Sequence, residues 1–174
     1  NKPYSPDRHL KISLDGAEDQ DFMMVYGFPG RTQQYLTSEA VDYVMNESNP
    51  LRISMREKSL GIIDAAIAND DEIRIKYAAK QAGISNAYKK WIGQNFGLER
   101  FKALDKKKAF EDSFEEWLRE EPEMKTKYGH LLDELGTVQE ELERYQKARE
   151  LFIEYVYYGP EIVRFANRFD NLIS

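Results

Sequence analysis

Asp21–Tyr35, DFMMVYGFPGRTQQY, marks the point where the character of the chain changes. Before Thr37 the pattern is that of β-structure. Leu10, Ile12 and Leu14 alternate with Lys11 and Ser13, the two-residue period of a half-buried strand. The polar stretch DGAEDQD reads as a loop. Phe22–Phe28, nearly all apolar with Val25 and aromatic residues, reads as a strand buried on both faces. Gly27, Pro29 and Gly30 then force a turn. From Ser38 onward the pattern is helical almost without a break. The expected fold is therefore mainly α: a β-hairpin segment over 1–37, followed by a helical bundle over 38–174. A hairpin joined to a helical body of this size predicts an internal piece of a larger protein, cut where a helical module is inserted into a β-fold.

Composition narrows the function classes. The chain has 174 residues, 41% hydrophobic and 32% charged, which suits one sizeable globular domain or a domain plus a fragment. Its net charge of −6 argues against nucleic acid, because phosphate binding needs a concentrated basic surface. The one basic cluster, Lys106-Lys107-Lys108, is flanked by Asp105, Glu111 and Asp112 and reads as a solvated helix face. With no cysteine, disulfides, thiol catalysis and thiolate metal sites are excluded, and compartment is left open. No apolar run approaches the ~18 residues of a membrane span, and NKPYSPDRH does not resemble a signal peptide.

The helical part is punctuated by recognisable signals. Thr37 or Ser38 caps a short helix to about Met45, and Asn49-Pro50 reads as a cap followed by a first-turn proline. The helix begun there is expected to reach about Ala68, with Ile53, Leu60, Ile63, Ala66 and Ile67 on one face. Asp70 or Asp71 starts the next, with Ile73, Tyr77, Ala78 and Ile84 at helical spacing. Gly83, Gly93 and Gly97 interrupt it, each costing ~1 kcal/mol against alanine; either the helix breaks there or something packs on the bare backbone. A further helix spans about Leu104–Arg119, stopped by Glu121-Pro122. Leu131, Leu135, Val138, Leu142, Tyr145, Ala148, Phe152 and Tyr155 then form a long apolar seam suited to antiparallel packing, with Gly136 its weak point. Gly159-Pro160 ends it, and a last helix carries Ile162, Phe165, Phe169 and Leu172 with no capping signal, again as expected of a cut chain.

No catalytic centre assembles from these residues. A serine triad needs a histidine held by a carboxylate and facing a nucleophile, and only His9, in the proline-rich arm, and His130, beside Gly129, are present. Both read as surface or packing residues. No metal site is expected, since no histidine pair has zinc-protease spacing. No cofactor is expected either, because the Gly-Phe-Pro-Gly turn lacks the lysine and spacing of a phosphate loop. Carboxylates are plentiful, but nothing singles out a glycosidase-type pair. The aromatic residues Phe152, Tyr155, Tyr157, Tyr158, Phe165 and Phe169 read as helical core before ligand groove.

Three stretches resemble one family. KISLDGAEDQDFMMVYGFPGRTQQYLTSEAV, NPLRISMREKSLGIIDAAIANDDEIRIKYAAKQAG and ISNAYKKWIGQNFGLERFKAL are similar to the bacterial dipeptidyl-peptidase 7/11 family of serine exopeptidases, up to about Leu118. The resemblance implies a parent in which a chymotrypsin-like double barrel carries the triad and an inserted helical domain caps the cleft. The hairpin would then belong to the barrel and 38–174 to an incomplete cap. Neither the histidine and aspartate motifs nor the serine motif of such a barrel is present, so this chain alone is expected to be inactive. The resemblance further implies that Asn86, in SNAYKKW, helps hold the free amino group of a peptide substrate, with Tyr88 and Trp91 weaker candidates for the cleft wall. It also implies a periplasmic or cell-surface location, peptide substrates with a free N-terminus, and leaves a homodimeric parent open. From the residues alone, Asn86 is a helix cap or turn residue after Gly83. The competing reading of the whole chain is a helical protein-binding module without enzymatic activity.

Overall fold

The computed structural model describes residues 3–9, 11–12, 14–24, 26–27, 30 and 32–169. It divides into two compact units, Asn1–Gln33 and Gln34–Ser174. In the first, no strand occurs among the described residues, so the expected hairpin is not seen there. Leu10, Ser13, Val25, Phe28 and Pro29, on which that expectation partly rested, lie outside the described residues. Ile12, Leu14, Phe22 and Tyr26 are almost fully exposed. A strand that is apolar on both faces gains its stability from neighbouring strands, and two strands alone are marginal in water. Among the described residues there is a turn at Glu18–Asp21, where the Glu18 N–H donates to Asp21 Oδ2 at 2.8 Å and the Asp21 N–H to Glu18 O at 3.2 Å.

The second unit is helical throughout its regular structure: α1 (Ser38–Tyr43), α2 (Asn49–Ile67), α3 (Asp71–Arg100), α4 (Ala103–Glu120), α5 (Pro122–Tyr128), α6 (Leu131–Phe152) and α7 (Glu161–Asn167). Two π-helical turns, Val44–Ser48 and Ile153–Tyr157, extend α1 into α2 and prolong α6. Local chemistry sets several boundaries. Thr37 Oγ1 accepts from the Ala40 N–H to cap α1, and Asp70 Oδ1 accepts from Glu72 and Ile73 N–H to cap α3. Asn49-Pro50 does not start a helix from a free cap, contrary to expectation. Asn49 is itself helical (φ −66°, ψ −46°), and the chain runs through α1, the π-turn and α2 without leaving helix. A proline inside a helix lacks an N–H and crowds the carbonyl four residues back; the wider π-turn immediately before Pro50 relieves that conflict.

The core sits between antiparallel α2 and α3, where Leu60, Ile63 and Ile84 are buried with Ile67, Tyr77 and Tyr88 packed against them. Val41, Tyr43, Trp91, Leu118 and Val156 are also buried. α1 packs on α4 and α6. At the α1–α6 crossing a Cβ on Gly136 would come within 2.6 Å of Glu39 Oε2, so this glycine gives the carboxylate room.

The remaining joint is polar. Arg56 donates from Nε and Nη2 to Glu154 at 2.6 and 2.9 Å, both side chains being buried. Arg52 Nη2 reaches Glu150 at 2.9 Å, and Glu150 also accepts from Ser48 Oγ at 2.7 Å. Buried Asn49 donates to Asn95 Oδ1 at 2.7 Å, and Asn95 in turn donates to Met45 O at 2.8 Å. Among the described residues no buried side-chain N or O lacks a hydrogen-bond partner. This corrects the expectation for α6, because the side it turns inward carries Leu132 and Gly136 and then only polar residues, Gln139, Glu143, Gln146 and Glu150. Leu131, Leu135, Val138, Leu142, Tyr145, Phe152 and Tyr155, expected to pack, are all exposed. The Arg52–Glu150 pair ties α2 to α6, and Arg56–Glu154 ties α2 to the π-turn that follows it. The aromatic residues Tyr157, Tyr158, Phe165 and Phe169 are likewise surface-exposed and not helical core.

Candidate functional site

Asn86 lies in the middle of α3, a 30-residue helix that continues unbroken through Gly83, Gly93 and Gly97. The reading of Asn86 as a helix cap or turn residue is therefore corrected. Its side chain is exposed and makes no hydrogen bond among the described residues. Ile84 and Trp91, seven residues apart, are the two buried positions of α3 and define its inner face. At ~100° per residue Asn86 falls on the opposite face. Ala82 and Gly83 lie one turn before Asn86 and the exposed Lys89 and Lys90 one turn after it, with Ala79, Gly93 and Gly97 further along the same side, so the strip around Asn86 is small at one end and basic at the other. No atom lies within 4 Å of the Cβ position at Gly83, Gly93 or Gly97. The helix does not break at the glycines, and among the described residues nothing packs against their Cβ positions; the one contact is Arg56 Nη1 on the Gly83 carbonyl at 3.4 Å.

The chemistry offered by this strip is simple. The Asn86 carboxamide oxygen is a neutral acceptor, able to take a hydrogen bond from an ammonium group, and its NH2 can donate to a carbonyl. Lys90, one turn further on, is held below the ordinary lysine range by burial and by the Arg52 guanidinium. Below the strip, on the inner face, the helix rests on cations. Arg52 and Arg56 stack on the Trp91 ring at 4.8 and 4.9 Å, and Arg56 also stacks on Tyr158 at 4.0 Å. Trp91 and Tyr88 are thus core residues and do not line an exposed wall. The four charged residues of this cluster were missed as a group. The signal was present: Arg52 and Arg56 continue the stripe of Leu60 and Ile63 on α2, and Glu150 and Glu154 repeat the four-residue spacing with opposite charge.

Two cavities lie elsewhere in the helical unit. One of about 960 Å³, between α1, α4 and α6, is lined mostly by carboxylates, including Glu39, Glu111, Asp133 and Glu143. Glu111 Oε1 there accepts from the Ser38 N–H at 2.7 Å. The other, about 440 Å³, is apolar and lies beside Ile62, Ile63, Ile73 and Tyr77, with Lys58 and Lys80 on its lining. His130 is exposed, 4.0 Å from Glu134; His9 is exposed in the first unit. Among the described residues no group of three or more His, Cys, Asp or Glu is placed to hold a metal ion, and no helix is long and apolar enough to cross a membrane.

Comparison with known proteins gives one consistent result. The sequence profile of the family described as Peptidase S46 matches residues 1–174. An Asp/Glu-specific dipeptidyl-peptidase of Flavobacterium psychrophilum is 39% identical over 163 residues, covering 94% of this chain and 23% of the relative. Dipeptidyl-peptidase 7 of Porphyromonas gingivalis is 38% identical over 175 residues, covering 100% of this chain and 24% of the relative. The chain thus spans about a quarter of the length of these relatives. The resemblance carried by the GFPGRT and SNAYKKW stretches is borne out: this chain belongs to the peptidase S46 family.

Proposed function

We propose that this chain is the helical cap portion of a longer serine dipeptidyl aminopeptidase, which releases dipeptides from peptide N-termini outside the bacterial cytoplasm, in the periplasm or at the cell surface. The cap closes the cleft, and Asn86 helps hold the substrate's free amino group. The observation that carries this reading is the state of Asn86: exposed, without a hydrogen-bond partner among the described residues, and preceded by a turn, Ala82 and Gly83, small enough to let another backbone come close. A carboxamide oxygen accepts from an ammonium group without adding a charge of its own. The triad lies in the part of the protein outside this chain, so the chain alone does not hydrolyse peptides. On this reading the segment 1–37 supplies strands that pair within the barrel.

The test is Asn86→Ala in the full-length peptidase. A hydrogen bond to a charged group contributes roughly 1.5–3 kcal/mol, so kcat/KM for substrates with a free N-terminus is expected to fall about 10- to 150-fold. Melting temperature is expected to stay unchanged, because the side chain is exposed in the absence of substrate. Unaltered kinetics would remove Asn86 from the site.

A second reading, a helical protein-binding module, draws on the exposed apolar stripe of α6. It predicts that substitutions along that stripe abolish partner capture while Asn86→Ala leaves every function intact.

A further inference from the structure

We propose that the buried Arg56–Glu154 pair is a positioning device that fixes the turn of α3 bearing Asn86; this rests on the reading of Asn86 given above. α3 needs such a device. It runs for 30 residues with two buried positions, Ile84 and Trp91. All three of its glycines have open space around their Cβ positions, and glycine is the least rigid of the residues ordinarily found inside a helix.

Arg56 holds both ends of the interval between those two anchors. Its Nη1 donates to Gly83 O at 3.4 Å and to Ile84 O at 3.5 Å, and its guanidinium plane stacks on the Trp91 ring at 4.9 Å. Asn86 lies between these points on the opposite face. The guanidinium is itself fixed from the far side by the two-pronged hydrogen bond to Glu154 and by the Tyr158 ring at 4.0 Å. Glu154 and Tyr158 belong to the π-turn and its C-terminal flank, so the segment after α6 sets where Arg56 sits, and Arg56 sets the turn of Asn86. A guanidinium suits this task because one rigid fork meets a carboxylate while its faces stack on rings. Lysine would supply the charge without the fork or the planar faces.

A double-mutant cycle in the full-length peptidase tests the proposal, using a dipeptidyl substrate with a free amino terminus and its N-acetylated analogue. Arg56→Met and Glu154→Gln are each expected to lower kcat/KM for the free-amino substrate about tenfold or more, mainly through KM, with Arg56→Lys recovering only part of the loss. On an Asn86→Ala background the same changes are expected to add less than about twofold, since residues acting through one contact are not additive. Full multiplication of the effects would overturn the proposal, because the pair would then act independently of Asn86. So would unaltered kinetics in the single variants, or loss of helical circular dichroism in both, which would make the pair a general support of the fold. Failure of the underlying reading looks different: Asn86→Ala alone would then be silent.

Discussion

Tyr43 shows how tightly one side chain is tied to the polar joint. It is buried, and its hydroxyl lies 3.5 Å from Glu150 Oε2. Burial first, and then the Glu150 carboxylate, push its pKa up to about 12 from 10.0. The folded chain therefore holds this proton more tightly than the unfolded chain. That stability is fully present below pH ~10 and is lost as pH rises through about 12. Alkaline titration of unfolding is expected to show a fall in stability across this window, and Tyr43→Phe is expected to flatten it. An equally steep fall in the phenylalanine variant would mean that other groups carry the dependence. At this scale the site was half legible. Asn86 is two residues from Ile84, and that spacing alone puts the two on opposite helix faces. The ligand proposed for it rests on a family resemblance, since no single asparagine announces a ligand. Arg56 was not legible as a buried residue, because whether a charge is buried depends on a partner 98 residues away.

The elements divide between what neighbours in sequence decide and what distant contacts decide. Thr37 and Asp70 cap α1 and α3 as expected, and Glu121-Pro122 separates α4 from α5, because capping and proline geometry act within a few residues. Asn49-Pro50 misled: the π-turn before Pro50 is closed by the Asn49 N–H to Val44 O, and the Asn49 side chain, instead of capping a helix start, donates to Gln94 and Asn95 of α3. The three glycines of α3 give a direct test of what its outer face meets. Nothing lies within 4 Å of their Cβ positions, so Gly93→Ala in this chain is expected to raise stability by ~1 kcal/mol, the propensity difference in an exposed helix. Thermal or denaturant unfolding would measure it. If Asn86 binds substrate as proposed, the same change in the full-length protein is expected to raise KM, because a methyl group would intrude on the substrate side of the helix. A stability gain with unchanged kinetics would place the substrate elsewhere.

For the molecule as a whole, the balance of buried and exposed apolar surface governs behaviour in solution. Eight hydrophobic side chains are buried among the described residues, against an exposed stripe that runs from Leu131 along α6 to Tyr155 in the π-turn after it. In the first unit Phe22, Met23, Met24 and Tyr26 are exposed too. Contiguous apolar surface of this kind marks an interaction site or an association liability. The period of three and four in the sequence made the stripe legible, but periodicity names a face and not its neighbour, and here the polar face packs inward. The isolated chain is therefore expected to self-associate and to bind a hydrophobic dye. Deleting residues 1–33, which leaves the Thr37 cap in place, is expected to reduce this in part while retaining helical circular dichroism. The triple change Leu135→Gln, Val138→Gln and Leu142→Gln is expected to reduce it further. Because these side chains already face solvent, each substitution is expected to shift the stability of the isolated chain by no more than ~0.5 kcal/mol. In the full-length peptidase the expectation reverses. If the rest of the protein covers this stripe, the triple variant buries three amides where leucine and valine packed, and large-to-polar changes in a core cost several kcal/mol (roughly 2–5 for each lost side chain). Sedimentation of the isolated chain and thermal melting of both proteins separate the outcomes. An unchanged melting temperature in the full-length variant would show that the stripe stays exposed there, and would favour the binding-module reading over the cap.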